Sequence, residues 1–268
     1  MNILKKNIRH PAVAGMFYPD SADDLHKHID HYLYSETYIG AKLPKVLIVP
    51  HAGTVYSGAI AAAAYRTLIP FRDIIQKVIL LGPAHRVHVN GLALPSVDQF
   101  QTPLANVNLD KPAIMNLVEK FSQVNYSDRA HQEEHSLEVQ LPFLQSVLTN
   151  FSLIPFVVGD ASESDVATVI ESLWGGPECL IVISTDLSHF HSYEAAQQLD
   201  SQTASLIEAF RGDELAEHSA CGRIPLRGLL GVARKKRMTI ERFDLRNSGD
   251  TAGTKDQVVG YGSWGLYE

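Results

Sequence analysis

The sequence predicts an α/β fold, a single domain over residues 1–268 with a central, mostly parallel or mixed sheet flanked by helices, and three observations carry that prediction. Apolar runs of strand length recur at 45–50 (KVLIVP), 77–83 (KVILLGP), 151–159 (FSLIPFVVG) and 180–184 (LIVIS). They are continuous in Val, Ile, Leu and Phe rather than alternating, as strands buried on both faces are. Stretches of helical periodicity separate them, and strand followed by helix, repeated, is the α/β order. At 268 residues the chain is long enough to bury roughly three quarters of its unfolded surface.

The first segment, RHPAVAGMFYPD over 9–20, mixes Pro, Gly and aromatics and is expected to be an ordered extended arm. Ser21 then caps a helix whose first turn holds Asp23 and Asp24 and whose apolar stripe is Leu25, Ile29 and Leu33. His26, His28 and His31 lie on it. With no strand end or carboxylate aimed at them they read as a solvated face, although 28 and 31 share the i, i+3 spacing. After the 45–50 strand, Gly53, Ser57, Gly58 and Ala59 let a helix start close against the sheet, and alanines 61–64 continue it. That glycine-bearing turn carries neither GxxxxGK[ST] nor GxGxxG, so no nucleotide site is expected there.

Residues 89–95 and the segment around Val107 read as short strands with a Gln-Thr-Pro turn between them. Glu133 and Glu134 precede an apolar periodicity at Leu137, Leu141, Leu144 and Val147, which predicts a helix whose amino end carries His131 and His135. Helices follow at 162–174 and 194–211, a cysteine, Cys221, stands just ahead of an apolar helix, and strands at 240–244 and 257–267 close the chain around a polar loop.

A net charge of -7 and a pI near 5.9 argue against a nucleic-acid surface, which needs clustered Lys and Arg. The basic run at 234–237 follows an apolar helix and reads as charge complementing a helix carboxyl end. Two cysteines, Cys179 and Cys221, do not make a disulfide framework, and no stretch has the length of a secretory signal core or a bilayer span. A cytoplasmic protein with no membrane and no nucleic-acid partner is expected.

Function is concentrated at strand ends. The first strand delivers His51, the second His85, and the run LIVISTDLSHFH over 180–191 breaks from apolar into Asp186 and His189. Ligands of open α/β sheets bind outside the carboxyl ends of parallel strands, so these groups are expected to share one crevice with Cys221. His135 joins them, because a histidine in a first helical turn is held neutral by the helix dipole. Two chemistries fit. Imidazoles with a thiolate or Asp186 bind a metal and leave positions open, or Cys221, with its pKa lowered by the following helix, acts as a nucleophile beside a histidine base. Spacing alone does not choose between them.

The stretches RHPAVAGMFYPD, PHAGTVYSG, LGPAHRVHVNGLALP, EEHSLEVQLPFL, ISTDLSHF and ACGRIPLRGLL, in this order, resemble the Memo family, whose bacterial and archaeal members are called AmmeMemoRadiSam system protein B. The resemblance implies a fold like the class III extradiol dioxygenases. It further implies metal ligands at His51, His85 and Cys221 for iron or copper, with zinc as the alternative, and Asp186 and His189 as neighbours in the same pocket; these two, with His135 from the helix-end argument, are the expected catalytic set. Those dioxygenases use two histidines and a glutamate, so a cysteine in the third place changes the charge and redox behaviour of the site. The family name implies a pathway link to AMMECR-family and radical SAM proteins. The expectation is a metal-dependent oxidoreductase acting on an unidentified small molecule or peptide. A metal-free Cys221 hydrolase and a non-catalytic binding module on a vestigial dioxygenase site are its rivals.

Overall fold

The arm expected at the start of the chain is anchored by a buried carboxylate far along the sequence. In the computed structural model, which describes residues 6–35 and 42–268, the arm contains strand β1 (Ile8–Arg9) and precedes α1 (Ala22–Leu33). Glu138 accepts hydrogen bonds from the backbone N–H of Ala12 (2.8 Å) and Val13 (3.0 Å) and from the Tyr18 hydroxyl (2.5 Å), and it pairs with the Arg9 guanidinium. Ser21 caps α1 as expected, and Leu25, Ile29 and Leu33 are buried.

The next elements are β2 (Val46–Val49), α2 (Thr54–Tyr65), β3 (Lys77–Pro83), β4 (Leu92–Leu94), β5 (Gln99–Gln101), β6 (Asn106–Asn108), α3 (Lys111–Lys120) and β7 (Val124–Tyr126). There follow α4 (Asp128–Gln132), α5 (Gln140–Val147), β8 (Ser152–Val158), α6 (Glu163–Ser172), β9 (Cys179–Ser184) and β10 (His189–His191). The chain closes with α7 (Tyr193–Glu208), α8 (Arg223–Lys236), β11 (Thr239–Asn247) and β12 (Val258–Tyr267).

Nine strands form one mixed sheet in the order β10-β12-β2-β9-β3-β8-β4-β7, with β11 paired to β12. Its heart is the parallel set β2, β9, β3 and β8, formed by the four apolar runs of the sequence. All of β2 and β9 is buried, and each fully buried Val, Leu or Ile contributes about 1.5–3 kcal/mol. The antiparallel neighbours β12 and β4 flank this set, and β1, β5 and β6 make a separate three-stranded sheet. Helices α1, α2 and α5 pack together, as do α6 and α8. At the end of α8 the basic run complements the helix, with Lys235 bonded to Glu171 at 2.7 Å and Arg237 terminating in the left-handed conformation.

One expected helix is corrected. His131 and His135 do not share the amino end of a helix: His131 lies in α4, and His135 in the non-helical connection 133–139 before α5. Pro142 explains where α5 starts. A proline in a helix interior removes a hydrogen bond and clashes with the carbonyl four residues back, whereas beginning at Gln140 places it in the first turn, where N–H groups have no intrahelical partner. The connection also turns Glu134 and Glu138 inward, and both are fully engaged there.

Candidate metal centre

Register brings the site together. Val49 of β2 pairs with Ser184 of β9, so His51 and Asp186, each two residues further on, leave the sheet side by side. The strand between β9 and β8, β3, runs in the same direction and delivers His85. The connection 133–139 crosses the carboxyl end of β3, where the Ser136 hydroxyl donates to the Pro83 carbonyl at 3.0 Å. Gly82 permits that approach, since a Cβ there would lie 2.8 Å from the Ser136 hydroxyl.

Each imidazole is oriented by a specific partner. The Ser184 hydroxyl donates its proton to the Ser136 carbonyl (2.6 Å), so it accepts from His51 Nδ1–H at 2.9 Å. Gln140 locks the same hydroxyl by donating to it at 2.8 Å, and donates as well to the Pro50 carbonyl at 2.9 Å. His51 Nε2 is left with a lone pair. The Glu134 carboxylate accepts from His85 Nδ1–H (2.9 Å), the His85 backbone N–H (2.6 Å) and the Ser136 N–H (2.9 Å), so His85 Nε2 is also a free acceptor. Burial works against ionisation of Glu134, but the hydrogen bonds and charge of His85 outweigh it and bring the carboxyl to about 2.

His135 completes a triangle with them, its ring 4.7 Å from that of His85 and 5.5 Å from that of His51, which are themselves 5.2 Å apart. Its Nδ1 is buried without a hydrogen-bond partner. One ring nitrogen from each of His51, His85 and His135 lies within 4.8 Å of the others. Burial, followed by the opposing charge of His85, holds His51 well below its ordinary pKa, and burial with His51 brings His135 to about 4. Neutral imidazoles with converging lone pairs are the donor set a transition metal takes. The residues present fit a metal ion on two counts: one ring nitrogen of each histidine converges on a common point, and His51 and His85 are fixed by partners behind their rings.

Cys221 adjoins His51, with Sγ 3.3 Å from Nε2, and its sulfur accepts the Asp186 N–H at 3.2 Å. The approach of α8 depends on Gly222, whose N–H donates to Thr185 Oγ1 at 2.8 Å and whose added Cβ would lie 2.8 Å from the Ser184 carbonyl. The sequence expectation of an acidic thiol is overturned: burial, then the charge of Asp186, pushes Cys221 up to about 12. Two backbone N–H groups and a hydroxyl do not offset that desolvation, so the thiol stays neutral until a cation stands beside it.

Asp186 accepts the His51 backbone N–H at 2.8 Å, and burial raises its pKa. His189 donates Nδ1–H to the Leu187 carbonyl at 2.8 Å, is partly exposed, and acts electrostatically on both Asp186 and His51. The structure thus groups His51, His85 and His135, sets Cys221 and Asp186 against His51, and places His189 beside Asp186. Glu134, Ser136, Gln140 and Ser184, which hold the histidines, went unassigned in the sequence reading. His28 bonds Thr54 at 2.8 Å and His26 pairs with Asp30 at 3.4 Å, away from this cluster.

Buried neutral histidines set an acid limit. His131 and His135 fall from an ordinary 6.5 to about 4, and burial is the leading cause in both. Between those values the unfolded chain binds more protons, so their stabilisation is complete above about 6.5 and is lost as pH falls towards 4. The shift amounts to roughly 3 kcal/mol for one fully buried group. Urea unfolding of metal-free protein from pH 7 to 4.5 is expected to show this slope. His131→Gln, which keeps the bond to the Ala93 carbonyl (3.0 Å in wild type) but cannot titrate, should flatten it.

Residues 9–264 match the family model described as Memo-like protein. The chain belongs to the Memo-like family. A MEMO1 family protein of Aquifex aeolicus is 34% identical over 267 residues, covering 95% of this Memo-like chain and 97% of its own. Another, of Methanobrevibacter smithii, is 33% identical and covers 96% and 98%. Among solved structures, uncharacterized protein JW3007 of Escherichia coli K12 superposes with a TM-score of 0.56 at 10% identity, over 83% of this chain and 99% of its own. At that identity the likeness concerns the fold alone. The Memo-like chain has no described helix long and apolar enough to cross a membrane.

Proposed function

We propose that this Memo-like chain is a metal-dependent oxidoreductase, folded as one domain, with iron or copper held by His51 and His85. His135 and Cys221, both next to His51, complete the donor set. The observation that carries this reading is the convergence of three imidazole nitrogens within 4.8 Å, with the rings of His51 and His85 fixed from behind. Imidazole and thiolate donors together suit iron, copper and zinc, and of these iron and copper carry redox chemistry. Such an ion supplies one-electron transfer and polarises an oxygen-bearing ligand.

The chain's own groups would handle protons. Asp186, whose raised pKa brings it nearer neutrality, takes a proton from a ligand next to His51. His189, with Nδ1–H committed to Leu187, offers Nε2 as the relay to solvent. Protein purified without added metal and measured by elemental analysis is expected to contain iron or copper, with at least a tenfold loss in His51→Ala and His85→Ala. A thiolate-to-metal absorption band that disappears in Cys221→Ala would place the sulfur on the ion. Equal metal content in wild type and both histidine variants would overturn the proposal.

A further inference from the structure

A cleft of about 360 Å³ lies between the N-terminal arm and the turn carrying α4, at the low end of the size range of small-molecule sites. Ile8, Pro11, Pro95 and Val97 supply an apolar wall. Apart from the Gln132 amide and the committed Arg9 guanidinium, the polar side chains around it offer acceptors.

Among the described residues Arg9 is the one arginine or lysine lining the cleft, and it is fully committed: its guanidinium pairs with Glu138 and donates to the His131 and Glu134 carbonyls, each at 2.8 Å. His131 donates Nε2–H to the Ala93 carbonyl at 3.0 Å, so its Nδ1 is an acceptor, and that atom is buried with no partner. His10 directs Nδ1 to Gln101 Oε1 at 2.6 Å, which makes its outer nitrogen an acceptor when neutral. Two carboxylates complete the rim. Among the described residues Asp128 accepts hydrogen bonds from Ser96 alone, and Glu133 is exposed and has no ion pair. Since the Arg9 charge is balanced by Glu138, the described lining side chains sum to a net negative charge.

We propose that this cleft is a second ligand site, separate from the histidine cluster, for a small organic ammonium ion: a cationic donor that meets Glu133 and the Asp128 rim, carried on an apolar body that fills the Pro11–Val97 wall. An anion would face two carboxylates with no free cation among the described lining residues to meet it. A neutral apolar molecule would leave the rim charges and the His131 acceptor unanswered. The proposal does not depend on the metal reading.

Titration of the full chain with benzylammonium, benzyl alcohol and benzoate, followed by amide NMR, tests it. Saturable shifts at Val97 and Gln132 are expected with benzylammonium, weakening as salt is raised, with benzyl alcohol at least about tenfold weaker and benzoate inert. Glu133→Gln, an exposed change that leaves the fold intact, should weaken benzylammonium by about tenfold. Val97→Trp should fill the cleft and abolish binding. No saturable shift, equal binding of benzyl alcohol or benzoate, or unchanged affinity in Glu133→Gln would overturn the assignment.

Discussion

Glu138→Ala is expected to lower the stability of the chain by about 3–5 kcal/mol, a fall in melting temperature on the order of 10 °C. The carboxylate is fully buried and is the common acceptor for the Arg9 guanidinium, two backbone N–H groups of the arm and the Tyr18 hydroxyl. Removing it leaves a buried cation without a counter-charge and several donors without acceptors. That is far more costly than the pair is worth when intact. Arg9 itself is only 7% exposed, so it cannot recover hydration without dragging the arm away from residues 131–138. Limited proteolysis should therefore cut the variant within 9–20 at protease levels that leave wild type intact. Glu138→Gln, which keeps the volume and one acceptor, should fall between the two. A melting temperature within one or two degrees of wild type would show that the arm is held by packing alone.

The same residue marks where the sequence was legible and where it was not. Strand ends were legible because each buried run is closed by a break and delivers its polar residue two positions later, and parallel strands all end on one side. His51, His85 and Asp186 follow from that rule, and the Val49–Ser184 register sets His51 beside Asp186. The segment 133–139 was not read correctly, because Leu137, Leu141 and Leu144 fit a helical stripe. A counter-signal was present: Glu134, Ser136, Glu138 and Gln140 are polar at every second position, and all four are buried. A period of two is foreign to a helix, and it records a connection threaded through the interior with each polar side chain spoken for. The acidity of Cys221 was also beyond reach. Its pKa depends on how deeply α8 docks against Thr185 through Gly222, which is tertiary packing with no local mark.

Glu134→Ala is expected to weaken metal binding by about 10- to 100-fold while leaving all three histidines in the chain. The carboxylate fixes His85 from behind in two ways, through the ring Nδ1–H and through the backbone N–H, and it ties Ser136 into the same unit. Without it the His85 ring, which is partly exposed, is free to rotate and to present either nitrogen, so part of the binding energy goes into selecting one orientation. The negative charge is lost as well, and with it the increase in basicity that a carboxylate partner gives a ligating imidazole. Because Glu134 titrates only near 2, this support persists across the physiological range, and the wild-type pH profile of metal binding should follow the histidines rather than this group. Glu134→Gln separates the two contributions: its side-chain oxygen can still accept from His85 Nδ1–H, so orientation is retained while charge is lost. Competition titrations with a chelator, repeated with iron, copper and zinc, should rank wild type above Glu134→Gln above Glu134→Ala for each ion. If alanine and wild type bound equally, His85 would not be a ligand whose geometry matters, and the metal would have to be sought around His51, His135 and Cys221 instead.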